Sequence, residues 1–186
     1  MGWRQMLVVG VGLMSTQTAL ADELRAPQKA SAEAATKQSG ALTTRAAVAD
    51  MQGNPEQARD LANQAIRANP RDPWPYYNKG MALAQLGETD GALAALFAAE
   101  QHFAQTDRWG RSVAIYGRAH ALKMAGRCAE ARPVYEEYAA FVGKEDPQGA
   151  ALARRYAADC RAAAPAAAPA PAPASPPPAQ PQPPKG

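Results

Sequence analysis

The sequence repeats with a period of 34 residues, and this period constrains the fold more than any single motif does. Displacing the chain by 34 aligns four pairs of small residues: Gly53 with Gly87, Ala58 with Ala92, Ala65 with Ala99, and Ala46 with Gly80. A further 39 residues along, the same places are taken by Gly126, Ala131 and Ala119, and a first-helix signature returns once more at Leu152, Ala153 and Tyr156. Repeats of this length are supersecondary units that bury a core only by stacking. The sequence therefore predicts three stacked units and a closing helix.

Helix boundaries within the units are marked by capping residues and prolines. Asn54-Pro55, Asp72-Pro73 and Asp146-Pro147 each place an N-cap residue before a proline at the first helical position. Gln57, three residues after the first of these caps, can return the capping hydrogen bond. Gly87 can adopt the left-handed conformation that ends a helix. Because no segment shows the alternation typical of a strand, the predicted fold class is all-α.

Small residues at fixed places allow the two helices of a unit to cross closely, and Gly80 with Ala92 is the predicted contact in the middle unit. Larger apolar residues are expected to fill the space between layers: Leu83, Leu93, Leu96 and Phe97 in the middle unit, and Leu122, Val134 and Tyr135 in the third. In the third unit, an insertion around residues 106–110 is expected to lengthen a flanking helix. Pro133 falls early in the second helix of that unit, where it costs one hydrogen bond at most.

From Ser39 to Cys160 this pattern resembles the tetratricopeptide repeat (TPR) family, of an exported bacterial type. The middle unit matches the family signature best, at Tyr76, Gly80, Leu83, Gly87, Ala92, Leu96 and Ala99. The resemblance implies a right-handed α-solenoid of about three helix pairs plus a C-terminal capping helix, in which the first helix of each pair lines the concave face. One departure recurs, because charged residues stand where the family usually has leucine: Arg45, Lys79 and Arg118.

The N-terminus has the three parts of a removable export signal, residues 1–21. Arg4 supplies positive charge, residues 6–14 supply a short apolar run, and Ala19-Leu20-Ala21 precedes the expected cleavage before Asp22. The apolar run is shorter than the roughly 20 residues of a membrane span, and no cysteine lies near the cleavage point to carry a lipid. An uncleaved anchor and a short buried helix are the alternatives. We expect an exported, periplasmic protein without a membrane span in the mature chain.

Three segments follow the signal. Residues 22–38 are polar and alanine-rich, and are expected to be flexible or partly helical. Residues 39–161 form the predicted repeat domain. Residues 162–186 hold ten of the 17 prolines of the chain, so we expect a disordered Ala/Pro-rich tail with an extended polyproline-II-like conformation. Such a tail is interpreted as a spacer, with recognition of a partner as the alternative.

Charge and composition exclude several classes of function. The chain carries 20 lysines and arginines against 17 aspartates and glutamates, too small an excess for a nucleic-acid-binding protein. His102 and His120 lie in different predicted helices without a carboxylate at ligand spacing, so neither a metal site nor a cofactor is expected. The sequence contains no nucleophile elbow and no glycine-rich phosphate loop. We therefore predict that the protein is not an enzyme.

The resemblance places a set of aromatic, methionine and polar residues on the concave face. They are Trp74, Tyr77, Asn78, Met81 and Gln85 in the middle unit, and Tyr116, His120, Lys123 and Met124 in the third. Rigid rings and adaptable methionines suit the binding of a peptide or helix. We predict a scaffold or adaptor of the cell envelope that binds a protein partner there, with Tyr77 and Tyr116 as anchors and Asn78, Gln85 and Lys123 setting the orientation. The alternative is that Tyr77, Tyr116 and Met81 only fill gaps between neighbouring first helices.

The carboxylate clamp of the family, which binds chaperone C-termini, is not carried over to this chain. Only Asn78 matches at the five clamp positions, which here hold Thr43, Ala47, Asn78, Val113 and Gly117. An alternative function starts from a predicted basic ladder, formed by Arg45, Lys79 and Arg118. In this alternative, the protein is a structural envelope protein whose ladder and proline-rich tail associate with peptidoglycan or an anionic polysaccharide. The ladder can also be read as packed aliphatic stems with their charged heads in water.

The two cysteines are expected to pair, because two cysteines in an oxidising compartment usually form a disulfide. Cys128 lies at the inter-helix turn of the third unit, and Cys160 lies at the matching end of the closing helix. Adjacent layers bring these two ends together. Two free thiols whose backbones stand too far apart are the alternative.

Overall fold

A computed structural model describes the backbone of residues 9–162 and the side chains of residues 28–160. The first part of the predicted signal peptide, residues 1–8, and nearly all of the predicted tail, residues 163–186, lie outside the described residues. The described chain forms seven helices and no strand: α1 Val9–Met51, α2 Pro55–Ala68, α3 Pro73–Gln85, α4 Thr89–His102, α5 Arg108–Met124, α6 Cys128–Val142 and α7 Pro147–Ala162. The predicted all-α fold is thereby confirmed. Helix α1 includes residues 22–38, and no helix of the described chain is long and apolar enough to cross a membrane.

The helices stack as three pairs and a final helix, in the order that the period predicts. Helices α1 and α2, α3 and α4, and α5 and α6 form the pairs, and α7 packs on α6. Each pair turns at a glycine in the left-handed region, with φ of 74° at Gly53, 77° at Gly87 and 71° at Gly126. A side chain is strained at such a φ, so the recurring glycine has a geometric reason.

Aspartates cap three of the helices. Asp72 accepts from the backbone N–H of Trp74 at 3.1 Å, Asp107 from that of Gly110 at 2.8 Å, and Asp146 from that of Gly149 at 2.8 Å. The predicted cap at Asn54 is wrong, since its side chain makes no capping bond. Its backbone, at φ −111° and ψ 69°, departs from the extended conformation in which a cap side chain faces the first turn.

The predicted close contact of α3 with α4 is confirmed at Gly80. A Cβ atom added there would stand 2.5 Å from Cγ of Leu96 and 3.1 Å from the carbonyl oxygen of Ala92. Of the larger residues predicted to fill the layers, four are buried: Leu83, Leu96, Leu122 and Tyr135. Phe97 is a correction, because half of it is exposed on α4 and its ring meets the guanidinium of Arg118 at 5.9 Å.

The insertion in the third unit lengthens α5, as expected. This helix has 17 residues, whereas its counterpart α3 has 13. The added turn lies at the N-terminal end, where α5 begins at Arg108. Pro133 lies inside α6 near its start, without ending the helix.

Candidate functional site

The odd-numbered helices form the inner face of the stack. Helix α3 contacts both α1 and α5 in addition to its neighbours in sequence, and the even-numbered helices do not approach one another to the same extent. Residues spaced by three, four, seven and eleven lie on one side of a helix. On α3 this side carries Trp74, Tyr77, Met81 and Gln85. On α5 it carries Trp109, Tyr116, His120 and Lys123, and together these residues form what we call the groove.

Two tryptophans mark the end of the groove at which α3 and α5 begin. The ring centroids of Trp74 and Trp109 lie 5.3 Å apart, and Trp74 also meets Phe103 edge-on at 5.1 Å. Phe103 is buried, whereas Trp109 is 68% exposed. Trp109 was missed by the sequence prediction, which assigned its position to an insertion. Its spacing of seven residues from Tyr116, on the same helical face, was the signal that could have found it.

The side chain of Tyr77, which belongs to α3, lies between α3 and α5. Its ring approaches Gly117, where an added Cβ would stand 3.3 Å from Cε2 of Tyr77, and it packs against the buried cluster that includes Leu83 and Leu96. Burial, with a smaller contribution from Asp50, raises the pKa of the Tyr77 hydroxyl. The side chain is therefore neutral at physiological pH, and it contributes to the contact between helices as well as to the groove surface.

Tyr116 lies at the centre of a tyrosine cluster in the third unit. Its ring meets Tyr138 at 5.3 Å and Tyr135 at 5.9 Å, and it stacks on His120 at 6.1 Å. Burial, followed by the proximity of Tyr156, raises the pKa of Tyr116. Tyr135 is fully buried, and its hydroxyl has no hydrogen-bond partner among the side chains and backbone that the structure describes. Aromatic rings therefore form the surface of the groove in this unit and also the buried layer behind it.

Lys123, Tyr156 and His120 form the other end of the groove. The ammonium group of Lys123 lies 3.7 Å from the ring centroid of Tyr156 on α7, which is a cation–π contact. Burial, with a smaller contribution from Lys123, lowers the pKa of His120. Met124 follows at the end of α5, four residues after His120 and therefore on the same side of the helix, and is 47% exposed. Met124 and Tyr156 complete the groove. Tyr156 is an addition to the predicted set, and its place in the first-helix signature was the signal for it.

The polar residues of α3 are bonded to α1. Asn78 donates from Nδ2 to the carbonyl oxygen of Thr43 at 3.0 Å, and Gln85 donates from Nε2 to Oδ1 of Asp50 at 2.7 Å. Met81 packs against the same buried cluster as Tyr77. The packing of Met81 supports the alternative predicted for it, in which the side chain fills a gap between helices. Asn78, for which no such role was predicted, joins α3 to α1 through its hydrogen bond. Gln85 is exposed, so its amide lies at the rim of the groove.

The predicted basic ladder is not a continuous row of available cations. Arg118 lies 2.9 Å from Oε2 of Glu137 and 3.6 Å from Oε2 of Glu100, and its side chain is 17% exposed. Lys79 lines a hollow with Tyr76 and residues of α2 and α4, and Arg45 lines another hollow between α1 and α2. The ladder prediction failed at Arg118 because the period locates the residue in the stack but not its carboxylate partners on α4 and α6.

Cys128 and Cys160 form the predicted disulfide. Their sulfur atoms are bonded and their Cα atoms stand 4.9 Å apart, within the range of disulfides. The bond joins the first residue of α6 to the last turn of α7. Within the side chains that the structure describes, no group of three or more His, Cys, Asp or Glu residues is arranged to hold a metal ion.

Comparisons with known proteins agree with this architecture. Residues 51–116 match the tetratricopeptide repeat family. The first TPR domain of Spaghetti (RPAP3) bound to the HSP90 peptide SRMEEVD is 18% identical, with a TM-score of 0.56 over 69% of this chain and 98% of that one. A TPR-like protein of Chlorobium tepidum is 20% identical, with a TM-score of 0.55 over 71% and 97%.

A third similar structure is the second TPR domain of human RPAP3 in complex with the HSP70 peptide SGPTIEEVD. It is 16% identical, with a TM-score of 0.53 over 68% of this chain and 98% of that one. The comparison with curated proteins gave no match. At these identities the likeness shows a helical repeat fold of the TPR type.

Proposed function

We propose that this chain is a non-enzymatic scaffold or adaptor of the cell envelope, which binds a peptide or helix of a partner protein in the groove. The observation that carries the proposal is the row of rings along the odd-numbered helices: Trp74, Trp109, Tyr77, Tyr116 and Tyr156. Interface residues that contribute most to binding are commonly aromatic, because a rigid ring buries a large area at a low entropic cost. Trp109 at 68% exposure has the most area left to bury.

The partner is not expected to be a chaperone C-terminus, although two of the similar structures hold HSP90 or HSP70 peptides. Asn78 is the one clamp residue present, and its amide already donates to Thr43. The groove offers rings, one lysine and one histidine. This surface favours a segment with apolar and few charged side chains.

The envelope location is part of the proposal. The export pattern of residues 1–21 and the bond between Cys128 and Cys160 both support it, since disulfides persist in oxidising compartments. N-terminal sequencing of the protein purified from its native cells tests it, with Asp22 as the expected first residue. Recovery of an intact Met1 end would contradict export.

The alternative, association with peptidoglycan or an anionic polysaccharide, is less well supported because Arg118 is paired with two glutamates. Arg45 and Lys79 remain as candidates. Ionic strength separates the two functions, since contacts between exposed charges are screened at moderate salt. Polymer binding should be lost between low and moderate salt, whereas binding in an aromatic groove should mostly survive.

Site-specific photo-crosslinking in living cells tests the groove directly. A photoreactive phenylalanine analogue replaces Met124 in the groove or, as a matched control, Phe97 on α4. The two side chains are 47% and 50% exposed, so they are nearly equally accessible. We expect a crosslinked partner from position 124 and none from position 97. The same adduct from both positions, or from position 97 alone, would overturn the groove as the binding site.

Alanine variants then identify the anchors, using the partner found by crosslinking. Loss of an anchor ring typically weakens binding by about 2 kcal/mol, roughly thirtyfold in affinity. Trp109→Ala is expected to disturb the fold least, because it removes one ring contact, with Trp74, and most of the side chain is exposed. Tyr77→Ala and Tyr116→Ala remove half-buried rings that pack between helices. Helicity and melting temperature are measured for each variant, and a binding loss counts where both are retained.

A further inference from the structure

The groove ends where the proline-rich tail of the chain begins. Tyr156 of α7 contacts Lys123 of α5. The last turn of α7 is bonded at Cys160 to the start of α6, shortly after α5 ends at Met124. Helix α7, after which residues 163–186 follow in the sequence, therefore ends near the Met124 end of the groove. The two tryptophans lie at the opposite end.

The tail has the composition that aromatic grooves recognise. Six of the nine residues from Pro176 to Pro184 are proline, and the segment carries no charged residue. Proline-rich segments favour polyproline II, and domains that bind them use grooves lined by tryptophan and tyrosine. The segment loses little conformational freedom on binding, because the prolines restrict it beforehand.

The dimensions of the tail and the groove agree. Fifteen residues separate Trp109 from Met124, and at a rise of about 1.5 Å per residue the groove along α5 is about 22 Å long. Nine residues of polyproline II extend about 28 Å at about 3.1 Å per residue. The thirteen residues 163–175 extend up to about 40 Å in the same conformation, enough for the chain to turn back from α7 into the groove.

We propose that residues 176–184 of this chain bind in its own groove, across the tyrosines and onto Trp109, so that the tail competes with the partner. This inference rests on the proposed function, because it assigns an occupant to the same surface. The tail then acts as an internal competitor at a high effective concentration, and a partner binds when it displaces the tail or resembles it.

The test uses a synthetic peptide of residues 163–186 and two forms of the protein, the full chain and a chain ending at Ala162 that keeps all seven helices. Tryptophan fluorescence reports binding, since Trp109 is exposed in the groove. We expect the peptide to bind the shortened chain at least tenfold more tightly than the full chain. A peptide with the same length but alanine at the six prolines should bind at least tenfold more weakly.

Two substitutions in the shortened chain locate the site. Trp109→Ala should weaken binding of the peptide tenfold or more, and Phe97→Ala, which removes an exposed ring from the opposite side, should leave it unchanged. Because the loss of Trp109 fluorescence removes the reporter, these affinities are measured by calorimetry. Equal affinity for both variants, or no binding to the shortened chain, would overturn the inference.

A further experiment distinguishes a failure of this inference from a failure of the proposed function. Peptides selected from a displayed random library on the shortened chain are tested for loss of binding with Trp109→Ala and for competition by the tail peptide. Library peptides that need Trp109 but are not displaced by the tail peptide would uphold the groove and overturn the tail as its occupant. Fluorescence of the full chain that changes with protein concentration would instead assign the occupant to the tail of a second copy, and would also overturn the intramolecular proposal.

Discussion

At the scale of single residues, we expect the same substitution to have opposite effects at Gly80 and at Gly40, which lie in two different helices. A Cβ atom added at Gly80 would stand 2.5 Å from Cγ of the fully buried Leu96, whereas nothing lies within 4 Å of the corresponding atom at Gly40. Overpacking costs about 1–3 kcal/mol and helix propensity returns up to about 1 kcal/mol. We expect Gly80→Ala to lower the free energy of unfolding by about 1–2 kcal/mol, and Gly40→Ala to raise it by about 0.5–1 kcal/mol. Urea denaturation measures both, and equal stability of the two variants would contradict the close contact.

We expect His120 to make the free energy of unfolding depend on pH, and the surroundings of its ring set the sign of that dependence. Burial and Lys123 lower the pKa of His120 below its ordinary value of 6.5. As pH falls below 6.5, the unfolded chain binds a proton that the folded chain resists, so the free energy of unfolding decreases. We expect His120→Gln to reduce this loss of stability between about pH 7.5 and about pH 5.5. Denaturation at both pH values checks it, with His102→Gln as the control for the second histidine.

At the scale of elements, the sequence predicted the helices because most of their boundaries have a local cause. Gly87, which follows the end of α3, and Asp72, which caps its start, act through contacts with residues only a few positions away in the sequence. The start of α5 depends instead on an insertion that either flanking helix could have absorbed, so Trp109 stayed outside the predicted site. The partners of Arg118 lie on α4 and α6, and repeat spacing carries no information about such pairs. Local signals therefore predicted the fold and much of the groove. The place of Trp109 in the groove and the ion pairs of Arg118 could be found only from the packed structure.

Helix α7 is held by its disulfide as well as by packing. The bond between Cys128 and Cys160 closes a loop with a sequence separation of 32, which in the chain-entropy account stabilises the fold by roughly 3–4 kcal/mol. We expect a reductant to lower the melting temperature of the wild-type protein and to leave a Cys128→Ser/Cys160→Ser variant unchanged. The oxidised wild type should be the most stable of these forms. A melting temperature that does not respond to reduction would show that packing alone holds α7.

At the scale of the whole molecule, the stack should not be equally stable along its length. The core of the first unit is mostly alanine, with Leu42 and Leu61 as its larger side chains, whereas the third unit buries Tyr135, Leu122 and Val142 and is closed by a disulfide. In a stacked array each unit is stabilised by its own packing and by contacts with its nearest neighbours, so a unit with less buried apolar area opens more readily.

Hydrogen exchange measured by mass spectrometry tests this gradient. We expect the backbone amides of α2 to exchange faster than those of α5 and α6, because exchange follows the free energy of local opening. Reduction of the disulfide should accelerate exchange in α6 and α7 and leave α2 unchanged, since α2 packs against α1 and α3 instead. Uniform exchange along the stack, or an equal response of α2 to reduction, would mean that the repeats unfold as one cooperative unit and that the alanine-rich first core is no weaker than the aromatic third.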